Sequence, residues 1–541
     1  MSTVHAVFAA SAARRPANDF LCIESVTARA YGLRAGAVRW GEAAAEVDRL
    51  RAVYAAAGYG HGHRVGLLLE NRPDFFYHWF ALNALGVSVV PISAEMRSAE
   101  LAYLVGHSEI CLAVTLPERA ADLCGAAREA GVPFNAWALV DGPAPPPAPG
   151  PAPRAHEPIG AGSECALLYT SGTTGRPKGC MLSNDYFTYT GEWYAGLGGL
   201  CPVRAGEERV ITPLPLSHMN AMAVSAMVVL TTGGCLVQLD RFHPGSWWHS
   251  VRESRATIVH YLGVMPAMLL AAPAGADDRA HGVRWAFGAG VDRRLHAAFE
   301  ARFGFALIEA WAMSETGVAA CVIANREPRL VGRSCFGRAE PHVALRLVDD
   351  DGRDVPDGTP GELLVRSAGP EPRRHFFSGY FKDEAATEQA WAGGWFHTGD
   401  VVQRDDQGNL CFIDRRKNVI RRSGENISAV EVESVLNQHP AVKASAVAAT
   451  PDAVRGDEVL ACIVTHDAVA PEARASLAAE IVAHVLERLA YYKAPGYVAF
   501  VEALPLTPSQ KIQRGQLREL AQALPASAHC TDTRHLKKRQ A

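Results

Sequence analysis

Apolar residues recur along this chain at two spacings, and the alternation between them sets the expected architecture. Residues 41–58, "GEAAAEVDRLRAVYAAAG", place apolar side chains at helical spacing, and 64–70, "RVGLLLE", is a short apolar run of strand length. Residues 74–86, "DFFYHWFALNALG", are helical again, and 87–93, "VSVVPIS", are rich in β-formers. Such alternation predicts parallel strands joined by crossover helices. A second alternating stretch covers 207–340 and includes "ATIVHYLGV" (256–264), "VRWAFGAGV" (283–291) and "ALIEAWAMSETG" (306–317). The texture then changes: 343–367 and 401–416 each hold two strand-like runs around Asp- and Gly-rich turns, which predicts antiparallel β structure. Beyond them mixed α/β returns, opening with a helix at "SAVEVESVLNQHP", where Ser428 and Glu431 have capping-box spacing. A domain boundary is therefore expected near 412–417. Between the alternating stretches, "GPAPPPAPGPAPRA" (142–155) can form neither helix nor ladder and reads as an exposed connector.

Composition narrows the classes. A chain of 541 residues exceeds what one core serves, so two or more domains are expected. With 48% hydrophobic and 20% charged residues it is globular, neither disordered nor fibrous. A net charge of −4 provides no basic field for nucleic acid. The most apolar windows, 221–237 and 261–276, are short and broken by Gly, Pro or paired Thr, so they read as buried core and not as a membrane span. The first twenty residues carry their arginines after the apolar part, against the order of a signal peptide. The 12 cysteines include no C-x-x-C pair and no His cluster has zinc-ligand spacing, so neither a disulfide framework nor a structural metal is indicated, and a reducing cytoplasm fits best. Of the 53 basic residues only 8 are lysines, which makes each lysine informative.

Candidate chemistry begins at "YTSGTTGRPKG" (169–179), which follows the apolar "CALL" of 165–168. Hydroxyls, three glycines and a lysine suit a polyanion, because glycine lets the backbone approach phosphate oxygens without an intervening side chain. The Walker A pattern fails, since Pro177 stands where its second Gly is required. The Rossmann pattern fails too, with "GAGVDR" (288–293) ending in Arg and "GYGHGH" (58–63) in His.

The loop resembles the phosphate-binding signature of the adenylate-forming superfamily, which includes acyl- and aryl-CoA ligases. The likeness continues in order through "PLPLSH" (213–218), "WAMSETG" (311–317), "GELLVRS" (361–367), "GWFHTGD" (394–400), "DRRKNVIRRSGENISAVEVE" (414–433) and "PLTPSQKIQR" (505–514). The DRR to GEN block is most similar to that of carnitine and crotonobetaine CoA ligases. The resemblance implies an α/β fold: a large N-terminal domain, 1–413, of two α/β subdomains plus a β-rich one, and a small mobile α+β domain, 414–541. The hinge would fall at Lys417.

The implied reaction has two steps, a carboxylic acid and ATP giving an acyl-adenylate and pyrophosphate, then coenzyme A displacing AMP. Thr170, Ser171, Thr173 and Thr174 with Lys178 would hold the β- and γ-phosphates, Gly172 and Gly175 allowing the close approach. Glu315 would hold Mg²⁺, and Ser314, where the family usually has Thr, would keep a hydroxyl for the α-phosphate. Asp400 would accept from both ribose hydroxyls, with Arg415 also reaching the ribose, and Trp311 would stack on adenine. Gly288 and Ala289 would border the nucleotide. Lys511 would gather the substrate carboxylate and α-phosphate, although Gln510 stands where Gly usually precedes it. After domain rotation the Gly424 region would face the thiol.

The acyl pocket would be lined around His218, Gly263 to Met265, Gly288 to Gly290 and Ala312. His218 would sit at its mouth or serve as a hydrogen-bonded core residue; the two readings stay open. Ala312 replaces the usual Gly and narrows the pocket by a methyl group, so an acid larger than acetate is expected, whether aliphatic, aryl or polar. The 30 residues after Lys511 are too few for a fused carrier domain, which favours free coenzyme A as acceptor. Two alternatives stand: an enzyme that loads a separate carrier protein, and a nucleotide-binding protein that does not adenylate. A small-molecule acid is the expected partner, with no nucleic acid; oligomeric state is open, a homodimer included.

Overall fold

A computed structural model describes every residue except 1–2, 140–141, 143, 171–176, 294, 350, 416–418, 424, 506–511, 513 and 539–541, and only the backbone of 414–415, 419, 426, 428, 430 and 514–515. Two units separate: the first holds 1–94, 105–168 and 179–414, the second 95–104, 169–178 and 415–541.

In the first unit an eight-stranded sheet runs in the order Gly317–Ile323, Ala306–Met313, Trp285–Ala289, Ile258–Leu262, Arg209–Thr212, Cys235–Gln238, Asp19–Ile23, Gly36–Arg39. Its interior pairs are parallel and its two edge strands antiparallel. A seven-stranded sheet carries Arg64–Leu68 between Ser88–Pro91 and Leu112–Thr115, all parallel, with Glu164–Thr170 beside Ser88–Pro91. These strands read as unbroken apolar runs because both faces are buried: Val65, Leu67, Val89 and Leu112 are inaccessible to solvent. The helix Pro73–Ala84 buries Phe75, Phe76, Trp79 and Phe80, and the helix Val4–Arg14, capped by Thr3, sets Phe8 against Phe80 with centroids 4.6 Å apart. The apolar windows are core elements. A π-helical turn Asn220–Ser225 and the helix Ala226–Thr232, stopped by Gly233 at φ 71°, fill the first. No described helix is long and apolar enough to cross a membrane.

The Pro-rich connector forms neither helix nor strand among its described residues, yet it is pinned along one path: Ala148 N–H donates to Ala57, Arg154 N–H to His61, and Tyr59 Oη to Pro146. Four strands, Val343–Val348, Gly361–Ser367, Phe396–Arg404 and Leu410–Arg415, form the β-rich sheet. Here the structure corrects one expectation. Cys335 and Cys411 face each other across an antiparallel bridge and form a disulfide, although their separation of 76 residues carries no spacing signal.

The second unit has its own six-stranded sheet, in which Val442–Asp452 pairs with Gly456–Thr465 over ten register positions. Alternation along these strands sends Val447, Val459, Ala461 and Ile463 to a core shared with the helices Ala429–Leu436 and Arg474–Leu486. Ala446, Ala448, Leu460 and Cys462 face Leu517 and Ala521 of the helix Arg514–Ala523. Buried charges are paired within this unit: Lys493 Nζ lies 2.5 Å from Glu100 and 3.1 Å from Glu431, and Glu458 takes both Lys537 at 2.5 Å and Arg422 at 2.8 Å.

Candidate active site

The parallel strands of the eight-stranded sheet end on one rim, and the sequence-predicted residues of the first unit follow those ends. "PLPLSH" follows Thr212, Gly263 follows Leu262, Ala289 closes its strand, and Ser314 and Glu315 follow Met313. Strand order reverses beside Arg209–Thr212, whose neighbours Cys235–Gln238 and Ile258–Leu262 come next in the chain on opposite sides. Ligands of open α/β sheets bind at such a switch point, beyond the carboxyl ends.

Asp400 is 1% exposed and lies on the strand Phe396–Arg404, so it is no surface turn former. Its position results from a bulge: register shifts between Glu362 and Leu364, Gly399 takes φ 68°, and Thr398 Oγ1 donates to Leu363 while accepting Asp400 N–H. Glu362 Oε1 accepts Gly399 N–H at 3.2 Å. The indole of Trp311 donates to Asp400 Oδ2 at 2.8 Å. Its ring is 6% exposed and packs on Phe336, so the structure gives Trp311 a first role as an anchor for the carboxylate.

Glu315 is 8% exposed, and Tyr380 Oη donates to its Oε1 at 3.0 Å. Burial and the neighbouring carboxylate push the Tyr380 phenol well above its ordinary range, so it stays a donor. Backbone bonds fix the turn around Glu315: Tyr186 Oη donates to Ser314 O at 2.9 Å, and Phe377 N–H to Glu315 O at 2.9 Å. Among the described residues no group of three His, Cys, Asp or Glu could hold a metal. One carboxylate remains, which fits Mg²⁺ coordinated mainly by phosphate oxygens and water.

Gly288 has no room for a side chain, because a Cβ would lie 2.3 Å from Tyr261 O. Gly263 is as tight against Gly290 O, so the segments around 263 and 288–290 are in contact. His218 is exposed, its N–H donating to Pro215 O and its carbonyl accepting from Met222. The core histidine of this region is His260: Tyr194 Oη and Ser225 Oγ lie 2.7 and 2.6 Å from its ring nitrogens, and burial lowers its pKa to about 3. It ties the π-helical turn to the strand Ile258–Leu262.

In the second unit Thr170 ends the strand Glu164–Thr170, Lys178 opens the strand Lys178–Ser183, and Tyr103 Oη donates to Pro177 O at 2.8 Å. Ser171, Gly172, Thr173, Thr174, Gly175, Lys417, Gly424, Gln510 and Lys511, with the side chain of Arg415, lie outside the described residues.

Two residues escaped sequence reasoning. Tyr380, in "SGYF", is an aromatic among aromatics and carries no signal for contact with an acid 65 positions away. Glu309 was legible as the one charge in the apolar strand "ALIEAWAM". Its carboxylate is 5% exposed and accepts Val291 N–H at 2.8 Å.

Comparison with known proteins gives the family. The family model of AMP-binding enzymes matches residues 8–381, and that of the AMP-binding enzyme C-terminal domain matches 431–511. A crotonobetaine/carnitine–CoA ligase of Escherichia coli O45:K1 is 29% identical over 490 residues, covering 87% of this chain and 91% of the relative. Among solved structures, o-succinylbenzoate CoA synthetase from Bacillus subtilis superimposes with a TM-score of 0.80 at 24% identity, over 95% of this chain and 98% of that one. A malonyl-CoA ligase with methylmalonyl-CoA and AMP bound gives 0.72 at 26% identity, over 92% and 97% of the two chains.

Proposed function

We propose, on the premise that this chain belongs to the AMP-binding enzyme family and is an AMP-forming acyl-CoA synthetase, that its nucleotide sits at the rim carrying Trp311, Ser314, Glu315 and Asp400. One observation supports this reading: a carboxylate buried at a bulge within the strand Phe396–Arg404 is bonded on one oxygen by the indole of Trp311, which lies two residues before the end of the strand Ala306–Met313. A carboxylate can accept from two hydroxyls at once, which suits the paired hydroxyls of a ribose.

In the first half-reaction a carboxylate oxygen attacks the α-phosphorus of ATP, and the bond to the β,γ-pyrophosphate breaks. In the second, the coenzyme A thiolate attacks the acyl carbon and AMP leaves with the electron pair. Asp400 holds the ribose. The Ser314 hydroxyl donates to the α-phosphate. Thr170, Ser171, Thr173, Thr174 and Lys178 hold the departing phosphates, and Lys511 gathers the two reacting anions. Glu315, kept in place by Tyr380, would hold Mg²⁺, which supplies charge neutralisation to the phosphates. Arg415 assists at the ribose, Lys417 is the hinge between the domains 1–413 and 414–541, and the Gly424 region lines the thiol approach.

The proposed acid is larger than acetate, since the wall residue is Ala312. Relatives named crotonobetaine/carnitine–CoA ligase place small polar acids first in a substrate panel. Pyrophosphate exchange over that panel tests the reading. Exchange with one class of acid, lost in Asp400→Ala, is expected; no exchange with any acid despite ATP binding would overturn it. Lys511→Ala should abolish acyl-adenylate formation while sparing thioester formation from supplied acyl-adenylate.

A further inference from the structure

Beyond the strand Trp285–Ala289 the backbone turns through Gly290, at φ 79°, into Val291. The turn is held from two sides. Gly263 lies directly against Gly290 O, and Glu309 accepts Val291 N–H at 2.8 Å. Gly288 pairs with Glu309 in the parallel ladder, so the side chain reaches forward from its strand to the turn just past its neighbour's end.

The surroundings of Glu309 are sparse in charge. From the helix His296–Phe303 it faces His296, whose Nε2 lies 3.0 Å from Glu300; Glu300 is in turn paired with Arg329 at 2.7 Å. From the strand Ile258–Leu262 it faces the Tyr261 phenol, which donates to Ile308 O at 3.3 Å. No described cation pairs with it directly. A buried acid without a counter-charge costs stability and is kept out of a strand unless it has a task.

We propose that Glu309 is a positioning residue: its carboxylate holds the 288–291 turn in the shape that receives the nucleotide, without touching substrate itself. The inference rests on the proposed placement of ATP beside Gly288 and Ala289. Burial raises the Glu309 pKa to about 7, against the opposing pull of the Val291 bond, His296 and the Gly290 bond. Ionised, the group accepts the Val291 N–H in a charge-assisted bond; protonated, it must also place a proton and holds the turn less firmly. Grip on the turn therefore improves as pH rises through 7. Stability moves the other way: the folded state binds this proton more tightly than the unfolded chain, so the contribution is full at low pH and is lost as pH rises through the folded value.

Opposed trends separate positioning from scaffolding. On the full chain, ATP dissociation constants with Mg²⁺ and thermal midpoints are measured at pH 6, 7 and 8. The wild type should bind ATP about threefold more tightly at pH 8 than at pH 6, beyond any change shown by Glu309→Gln, while its midpoint falls relative to that variant. Glu309→Gln keeps an acceptor for Val291 N–H at every pH and should retain a KM for ATP within about threefold of the wild type. Glu309→Ala should raise that KM about tenfold or more with a smaller change in kcat. Should Glu309→Ala fail to fold, the wild-type and Glu309→Gln profiles decide alone. Parallel pH profiles in wild type and Glu309→Gln would overturn the proposal. Absence of ATP binding or exchange in the wild type would instead sink the functional reading beneath it.

Discussion

The residues that decide behaviour here are those whose polar groups are buried and shared. Trp311 and Asp400 are one such pair, 2.8 Å apart. Trp311→Phe removes the donor and leaves ring packing on Phe336, so Asp400 loses one of its constraints; nucleotide affinity should fall by about 1–2 kcal/mol, measured by AMP titration, with little change in thermal midpoint. Lys537 gives a pH signature of opposite kind to Glu309. Burial lowers its pKa to about 7, aided by Arg422 and Arg455 and opposed by Glu458 at 2.5 Å. The unfolded chain keeps that proton to higher pH, so the folded state gains stability as pH rises above 7. Urea denaturation at pH 7 and 9 should show the increase, and Lys537→Met should flatten it. Single residues also show where sequence reading reached its end. Glu315 and Asp400 were singled out by motif position, whereas the contact of Tyr380 with Glu315 could be found only once folding had brought Gly379–Tyr380 beside the 314–315 turn.

At the level of elements, short unbroken apolar runs between segments of helical spacing gave strands and helices close to those present, because both faces of the parallel strands are buried. Bulges and turns were less legible. "HTGD" reads as a turn by composition, yet it is a strand bent by one register shift. Two glycine variants test this distinction. Gly399→Ala meets no neighbouring atom, so its cost is backbone strain alone, about 1–2 kcal/mol at φ 68°. It should weaken nucleotide binding by turning Asp400 away. Gly288→Ala places a methyl group 2.3 Å from Tyr261 O and should cost more, about 1–3 kcal/mol or above, read in denaturant unfolding. The disulfide shows the same limit: Cys335 and Cys411 meet only because the ladder brings Phe336 N–H to Leu410 O and Phe412 N–H to Ser334 O.

For the whole molecule, two units with separate apolar cores predict more than one calorimetric transition. If Lys417 is the hinge, Lys417→Pro should spare adenylate formation and block thioester formation; survival of both half-reactions would remove the hinge assignment. The change of texture near 412–417 was visible as a shift from tight-turned strands to mixed α/β. The assignment of 95–104 and 169–178 to the second unit was not, since nothing local in "EMRSAELAYL" or "YTSGTTGRPK" marks it. The bond between Trp311 and Asp400 has a further consequence for ligand recognition. A carboxylate on a flexible exposed side chain surrenders rotational freedom each time it captures a sugar. Here that freedom was already given up when the core aromatics packed, so on the proposed placement the ribose would meet a preorganised carboxylate, and discrimination between ribose and deoxyribose should persist even where the triphosphate is only loosely held.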